Sequence, residues 1–237
     1  MPPRLYVDPP LRAGWCALPP AAARHVQVLR LRPGAELVVF DGGGGEWRAR
    51  LHTAQQVELI EHRAVEREAE QRVLLAVGMP ANERMDWLVE KATELGAAAL
   101  QPLITQRSVL RLSGERARKR LQHWRGIAIA ASEQCGRNTL IDIAPVRHLT
   151  EWLREPPPQT MRCLLSPQAD AAQTLPAVAP GQRVCVLSGP EGGLDAAEQA
   201  LALAAGFAAV SLGPRVLRAE TAPLAALMQL TVPRSSA

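Results

Sequence analysis

The sequence predicts an α/β protein: a mainly parallel sheet with flanking helices over residues 73–237, preceded by a smaller β-rich domain over residues 1–70. Two observations carry this reading. Beyond residue 73, short runs of Val, Leu, Ile and Ala alternate with helical periodicities, the pattern of repeated strand–helix–strand units. Before it, short extended segments are separated by glycine and proline turns, which suits a small barrel or closed sheet. A chain of 237 residues, 47% hydrophobic and 21% charged, is long and apolar enough for both cores.

In chain order, Arg4-Leu-Tyr-Val7 reads as a short extended segment, and a short helix is expected at 25–29 after the Pro19-Pro20 break. Glu36-Leu-Val-Val-Phe40 is a strand, and Asp41-Gly-Gly-Gly-Gly45 is a turn, since consecutive glycines supply the positive φ a tight reversal needs. Trp47–Leu51 alternates apolar and polar residues with Arg48 and Arg50 on one face, and 56–60 forms the next strand. Residues 66–72 are polar and read as a linker. Strands follow at 73–77 and 99–104 around a helix over 83–95, with Asn82 as candidate N-cap and Gly96 just past its end. A long helix spans 114–135, with Leu121, Trp124, Ala128 and Ala131 as its apolar stripe. Strands recur at 163–165, 184–187 and 208–212. Between the last two, Asp195 and Glu198 stand in capping-box spacing ahead of a helix over 196–205. The final helix starts near Pro223.

The four cysteines are scattered without a Cys-x-x-Cys pair, so neither a zinc site nor a disulfide framework is indicated, and no metal is expected. No apolar run approaches the ~20 residues that span a bilayer, and the N-terminus lacks the apolar stretch of a signal peptide. A cytoplasmic protein without membrane contact is expected. Net charge is +4, a mild excess compatible with a polyanionic partner. Its distribution is more telling: arginines crowd at 107, 111, 116, 118, 120, 125 and 137, and again at 215 and 218, while Lys91 and Lys119 are the only lysines.

Candidate chemistry gathers in three loops that follow strands: Ser166-Pro167-Gln168, Ser188-Gly-Pro-Glu-Gly-Gly193, and Gly213-Pro-Arg-Val-Leu-Arg218. In open α/β sheets ligands bind at the carboxyl ends of strands. Glycine and proline give such loops a rigid backbone with little bulk, able to approach and read the edge of a flat heterocycle. None matches a dinucleotide or P-loop phosphate pattern.

Leu187-Ser-Gly-Pro-Glu-Gly-Gly-Leu194 and Leu212-Gly-Pro-Arg-Val-Leu-Arg-Ala-Glu-Thr221 resemble the two cofactor-loop motifs of the RsmE family of SPOUT methyltransferases, which methylate N3 of a uridine in 16S ribosomal RNA. Glu90-Lys-Ala-Thr-Glu-Leu-Gly96 and Ile129–Asn138 resemble two further motifs of that family. The resemblance covers essentially the whole chain. It implies a trefoil-knotted C-terminal domain, an exception to the rule against knots. It also implies a PUA-like N-terminal β-barrel that helps hold RNA, and a homodimer with each active site near the subunit interface. S-adenosylmethionine is expected among Leu165, Ser166, Pro167, Ser188, Gly189, Pro190, Glu191, Gly192, Leu212, Gly213, Arg215, Val216, Leu217 and Thr221. The chain departs from the family at Ala219, where a hydroxyl residue is common, and at Ala222-Pro223, where Thr-Ala is common.

Methyl transfer from a sulfonium is an in-line displacement that needs alignment and exclusion of water. Uridine N3 must lose its imide proton, so a guanidinium near the base stabilises the developing anion while a carboxylate or water takes the proton. Arg218 is the candidate cation and Glu220 the candidate orienting or basic carboxylate. Candidate RNA contacts are Arg48, Arg50, Lys91, Arg107, Glu133, Arg137 and Asn138. Ordinary surface chemistry accounts for several of these equally: Glu133 and Arg137 lie four apart on a helix, and Lys91 and Glu94 share a helix edge. Two rival functions are a SPOUT enzyme acting on tRNA or 23S rRNA, and a non-catalytic RNA-binding assembly factor. Intact glycine loops weigh against the second.

Overall fold

The computed structural model describes residues 2–81, 83–158, 160–170 and 173–231. The chain divides into two compact units, one of residues 1–68 with 129–140, the other of residues 69–128 with 141–237.

In the first unit, strands β1 (Arg4–Tyr6), β2 (Gly14–Ala17), β3 (Glu36–Phe40), β4 (Glu46–Thr53) and β5 (Gln56–Arg63) form one sheet in the order β1-β3-β4-β5-β2. Only β1 and β3 run parallel; the hairpins β3–β4 and β4–β5 and the pair β2–β5 are antiparallel. Helix α1 (Pro20–Val28) begins earlier than the 25–29 expected, because Pro20 occupies its first turn, where a missing N–H costs nothing. Leu5, Val26, Leu37, Val39, Leu51, Val57 and Leu59 form its core. Strand β2 was not expected; its four residues, Gly-Trp-Cys-Ala, carry too little alternation to announce a strand. The turn after Asp41 is as expected, with Gly42, Gly44 and Gly45 at positive φ.

In the second unit, β6 (Arg72–Gly78), β7 (Ala99–Ile104), β8 (Asp142–Ile143), β9 (Arg147–His148), β10 (Met161–Leu165), β11 (Arg183–Ser188) and β12 (Ala208–Val210) pair in parallel throughout, in the order β12-β10-β11-β6-β7-β8, with β9 also on β7. Helices α2 (Glu83–Glu94), α3 (Gly114–Cys135), α4 (Leu149–Trp152), α5 (Ala196–Ala204) and α6 (Thr221–Thr231) complete the chain. Candidate N-cap Asn82 lies outside the described residues.

Pleating sends alternate residues of each strand to opposite faces, and the two faces carry different cores. Val73, Leu75 and Val77 of β6 and Val184 and Val186 of β11 pack with Leu88 of α2, Trp124 of α3 and Leu227 of α6. Ala76 of β6 and Cys185 and Leu187 of β11 pack with Trp152 of α4 and Ala202 of α5. A sheet covered on both sides needs strands apolar at every position, which is why these runs read as continuous rather than alternating. Each fully buried Leu or Val contributes about 1.5–3 kcal/mol. Helix α3 carries the expected Trp124 in the core, its Nε1–H donating to Asp86 Oδ1 of α2 at 3.0 Å. Burial pushes the thiols of Cys163 and Cys185 up to about 11 and about 12, so both are inert core residues.

Candidate functional site

Three neighbouring strands of the second unit, β12, β10 and β11, end on the same edge of the parallel sheet. The loops that leave them are the ones the sequence singled out, and they enclose a cavity of about 570 Å³. Of the fourteen residues expected to hold the cofactor, the cavity is lined by Leu165, Ser166, Pro167, Ser188, Gly189, Pro190, Glu191, Gly192, Leu212, Gly213, Arg215, Val216 and Leu217, whereas Thr221 is not in the lining. Thr221 instead opens α6, its N–H donating to the carbonyl of Arg218 at 3.0 Å.

Close backbone approach shapes the loop after β11. A Cβ on Gly78, the last residue of β6, would sit 2.5 Å from Pro190 Cδ and 2.7 Å from Pro190 N. A Cβ on Gly189 would sit 2.7 Å from the amide nitrogen of Leu194, so any side chain there would force the turn open. The loop is tied down from two sides. Arg107, which follows β7, donates from Nη1 to the carbonyl of Gly192 at 2.7 Å, and its side-chain stem passes 3.1 Å from where a Cβ on Gly192 would stand. Glu191 accepts from the Ala81 amide at 2.9 Å and from Arg84 Nη1 at 3.2 Å. Arg84, on the first turn of α2, also lies 4.0 Å from Glu220. The capping box of α5 doubles as a brace: Asp195 accepts from the Glu198 amide at 2.7 Å, while Glu198 accepts the amides of Asp195 at 3.1 Å and of Gln106 at 2.8 Å.

Of the two expected catalytic residues, the structure brings Arg218 to the cavity wall but not Glu220. Glu220 is buried, and its Oε2 has no hydrogen-bond partner among the described residues. Sequence reasoning missed Arg84 and Gln199, both of which line the cavity. No local motif marks them; their only signal is a polar residue in the first turn of a helix that follows a strand end.

The expected RNA contacts separate into groups. Arg107 lines the cavity. Arg50 is exposed on β4, whereas Arg48, two residues away, leans on Glu61 at 3.3 Å and Glu36 at 3.9 Å. Lys91 is gripped by Glu90 at 2.7 Å and Glu94 at 2.8 Å, which raises its pKa. Arg137 and Asn138 are buried and Glu133 is partly buried. Glu133 accepts the Tyr6 amide at 2.9 Å and sits 3.0 Å from His25; burial raises its pKa against the pull of those two partners. Arg137 donates to Glu68 at 2.9 Å, and Asn138 accepts from Arg4 at 2.5 Å while donating to the Val65 carbonyl at 2.5 Å. Their polar atoms bind the first unit together through these partners. Buried polar groups need such partners.

Among the described residues, no group of His, Cys, Asp or Glu is disposed to hold a metal ion, and no helix is long and apolar enough to cross a membrane.

A parallel sheet whose glycine–proline loops cup one cavity at its carboxyl edge, in a chain that also folds a separate five-stranded sheet unit, is the architecture of the α/β-knot RNA methyltransferases that the chain matches. The RNA methyltransferase domain family matches residues 67–231, and the RNA methyltransferase PUA domain family matches residues 18–60. The chain is 37% identical over 218 residues to the ribosomal RNA small subunit methyltransferase E of Synechocystis sp., covering 86% of this chain and 68% of that one. The structure of ribosomal RNA small subunit methyltransferase E from Neisseria gonorrhoeae bound to S-adenosyl methionine superposes with a TM-score of 0.88 at 35% identity, over 97% of this chain and 96% of that one. A putative methyltransferase from Legionella pneumophila, in complex with the same cofactor, gives 0.89 at 34% identity over 96% of each chain. The chain belongs to the ribosomal RNA small subunit methyltransferase E family, the RsmE-type SPOUT enzymes.

Proposed function

We propose that the protein transfers the methyl group of S-adenosylmethionine to N3 of a uridine in the 16S rRNA of the small ribosomal subunit, acting in the cytoplasm as a homodimer. The observation that carries this reading is the cavity itself, built from the loops after β10, β11 and β12 in a chain that aligns end to end with cofactor-bound relatives. Its volume suits a ligand of that size. Leu165, Leu212 and Leu217 offer apolar walls, and Ser188 presents a buried Oγ without a partner among the described residues. A buried hydroxyl left unpaired costs stability, so a polar ligand group that meets it recovers that cost. Ala219 lines the wall where the family commonly has a hydroxyl, while Ser166 and Ser188 bring hydroxyls to the same cavity.

When bound, S-adenosylmethionine supplies an electrophilic methyl group. The chain contributes alignment and charge. Arg218, on the cavity wall, stabilises negative charge on the uracil ring as the N3 proton passes to water. Glu220 orients rather than reacts: buried and 4.0 Å from Arg84, it steadies the guanidinium that also holds Glu191. Arg50, exposed on β4, and Arg107, on the cavity wall, are the side chains best placed to meet RNA phosphates.

The test is transfer of labelled methyl to small ribosomal subunits, naked 16S rRNA and tRNA, with the product nucleoside identified. N3-methyluridine in 16S rRNA is the expected product. Any other methylated nucleoside, or methylation of tRNA alone, overturns the target assignment.

A further inference from the structure

The charge of this molecule is not spread over it. Between Gly114 and Ala128, the part of α3 that belongs to the second unit, stand Arg116, Arg118, Lys119, Arg120 and Arg125 against the single acid Glu115. Five cations less one anion leave +4, which is the net charge of the whole chain. Every other segment taken together is neutral.

The local geometry sorts these cations. Arg120 turns to Asp86 at 3.7 Å, and Lys119 is paired with Glu115 at 2.8 Å. Arg116, Arg118 and Arg125 are exposed and have no ion pair or hydrogen bond among the described residues. Trp124 and Ala128 fix the buried face of the helix. At 100° per residue, Arg118, Gln122 and Arg125 then fall on one exposed ridge, with Arg116 on the other flank. The two arginines of the ridge lie seven residues apart, about 10.5 Å along the axis. Three unpaired guanidiniums within ten residues repel one another, and burial holds none of them in place. That is a standing cost unless a polyanion neutralises them.

We propose that the exposed face of α3, through Arg116, Arg118 and Arg125, is a docking track for the phosphate backbone of the substrate RNA, separate from the cavity. The partner is chosen by charge complementarity: guanidiniums spaced along a rigid rod suit a chain of phosphates and read no sequence. The proposal rests on the enzyme acting on RNA and adds where that RNA lies.

Arg116→Gln, Arg118→Gln and Arg125→Gln are combined, and the affinity for small ribosomal subunits is measured from about 50 to 300 mM salt. Each lost phosphate contact lowers the slope of log affinity against log salt by about 0.7–0.9. The expected result is a slope lower by about 2, and affinity at the lowest salt down at least about tenfold. Affinity for S-adenosylmethionine, which reports an intact fold, stays within about twofold. The matching triple Lys variant, which keeps the charges, restores the slope. Unchanged affinity and slope in the Gln variant, or failure of the Lys variant to restore them, overturns the track. If the wild type methylates another RNA instead, the same titration on that RNA tests the track independently of the assigned target.

Discussion

Arg218 and Arg4 illustrate two uses of one residue type. Arg218 lines the cavity, where charge develops during reaction. Replacing it with alanine is expected to lower the turnover of methyl transfer by about 10²–10³-fold, the usual effect of deleting a preorganised donor. S-adenosylmethionine affinity measured by calorimetry changes only a few-fold. Undiminished turnover would remove Arg218 from the mechanism. Arg4 is buried and holds Glu46 at 2.7 Å, with Arg67 adding a second contact at 3.1 Å. Burial alone would raise the Glu46 carboxyl, but these guanidiniums outweigh it and hold its pKa below the ordinary 4.5. The sign follows: the carboxylate contributes stability above its unfolded pKa and loses it as pH falls through the lower folded value. Denaturant midpoints should therefore fall below about pH 4.5, and Glu46→Gln should flatten that decline. Parallel pH curves for the two proteins would count against this account. The glycine-rich loops were legible at this scale because glycine and proline announce unusual backbone directly. Gly78, Arg84 and Gln199 were not, because their roles arise from partners distant in sequence: Pro190 for Gly78, and Glu191 and Glu220 for Arg84.

Elements with a long period were legible and short ones were not. The expected span of 114–135 for the long helix matches α3, and the 36–40 strand matches β3, because each repeats its pattern enough times to fix its ends. Strands β8 and β9 hold two residues each and α4 four, too few to show any period. Tertiary pairing with β7 makes the two strands. The start of α5 was legible from chemistry rather than period: Asp195 and Glu198 form the reciprocal capping box their spacing predicted. Asp195→Ala should cost about 1 kcal/mol of stability by chemical denaturation, the usual worth of an N-cap. Because Glu198 also accepts the Gln106 amide, Glu198→Ala should cost more than Asp195→Ala. An equal loss in the two variants would mean that the Gln106 contact adds nothing.

At the scale of the molecule, the layered α/β plan was legible in the apolar runs, whereas the strand order was not. Apolar runs show that strands are buried on both faces; which strand lies beside which is decided by crossover connections that leave no local mark. The order β12-β10-β11-β6 matters most, since it sets the three cofactor loops on neighbouring strands. The assignment of 129–140 to the first unit was equally invisible, because α3 is one continuous helix whose period does not change at the boundary. The cavity is formed wholly by residues of the second unit, from Arg84 to Ala222. A ligand that binds only the folded state stabilises it by mass action, by about 2.7 kcal/mol at a hundredfold excess over its dissociation constant. Hydrogen exchange with and without S-adenosylmethionine should therefore slow most at 165–168, 188–193 and 212–221, and the melting temperature should rise with cofactor concentration. Ser188→Ala, which removes the buried hydroxyl but no packing contact larger than an oxygen, should weaken that rise while leaving the melting temperature without cofactor at or slightly above the wild-type value. Protection spread evenly over the chain, or centred away from these loops, would show that the cofactor binds elsewhere.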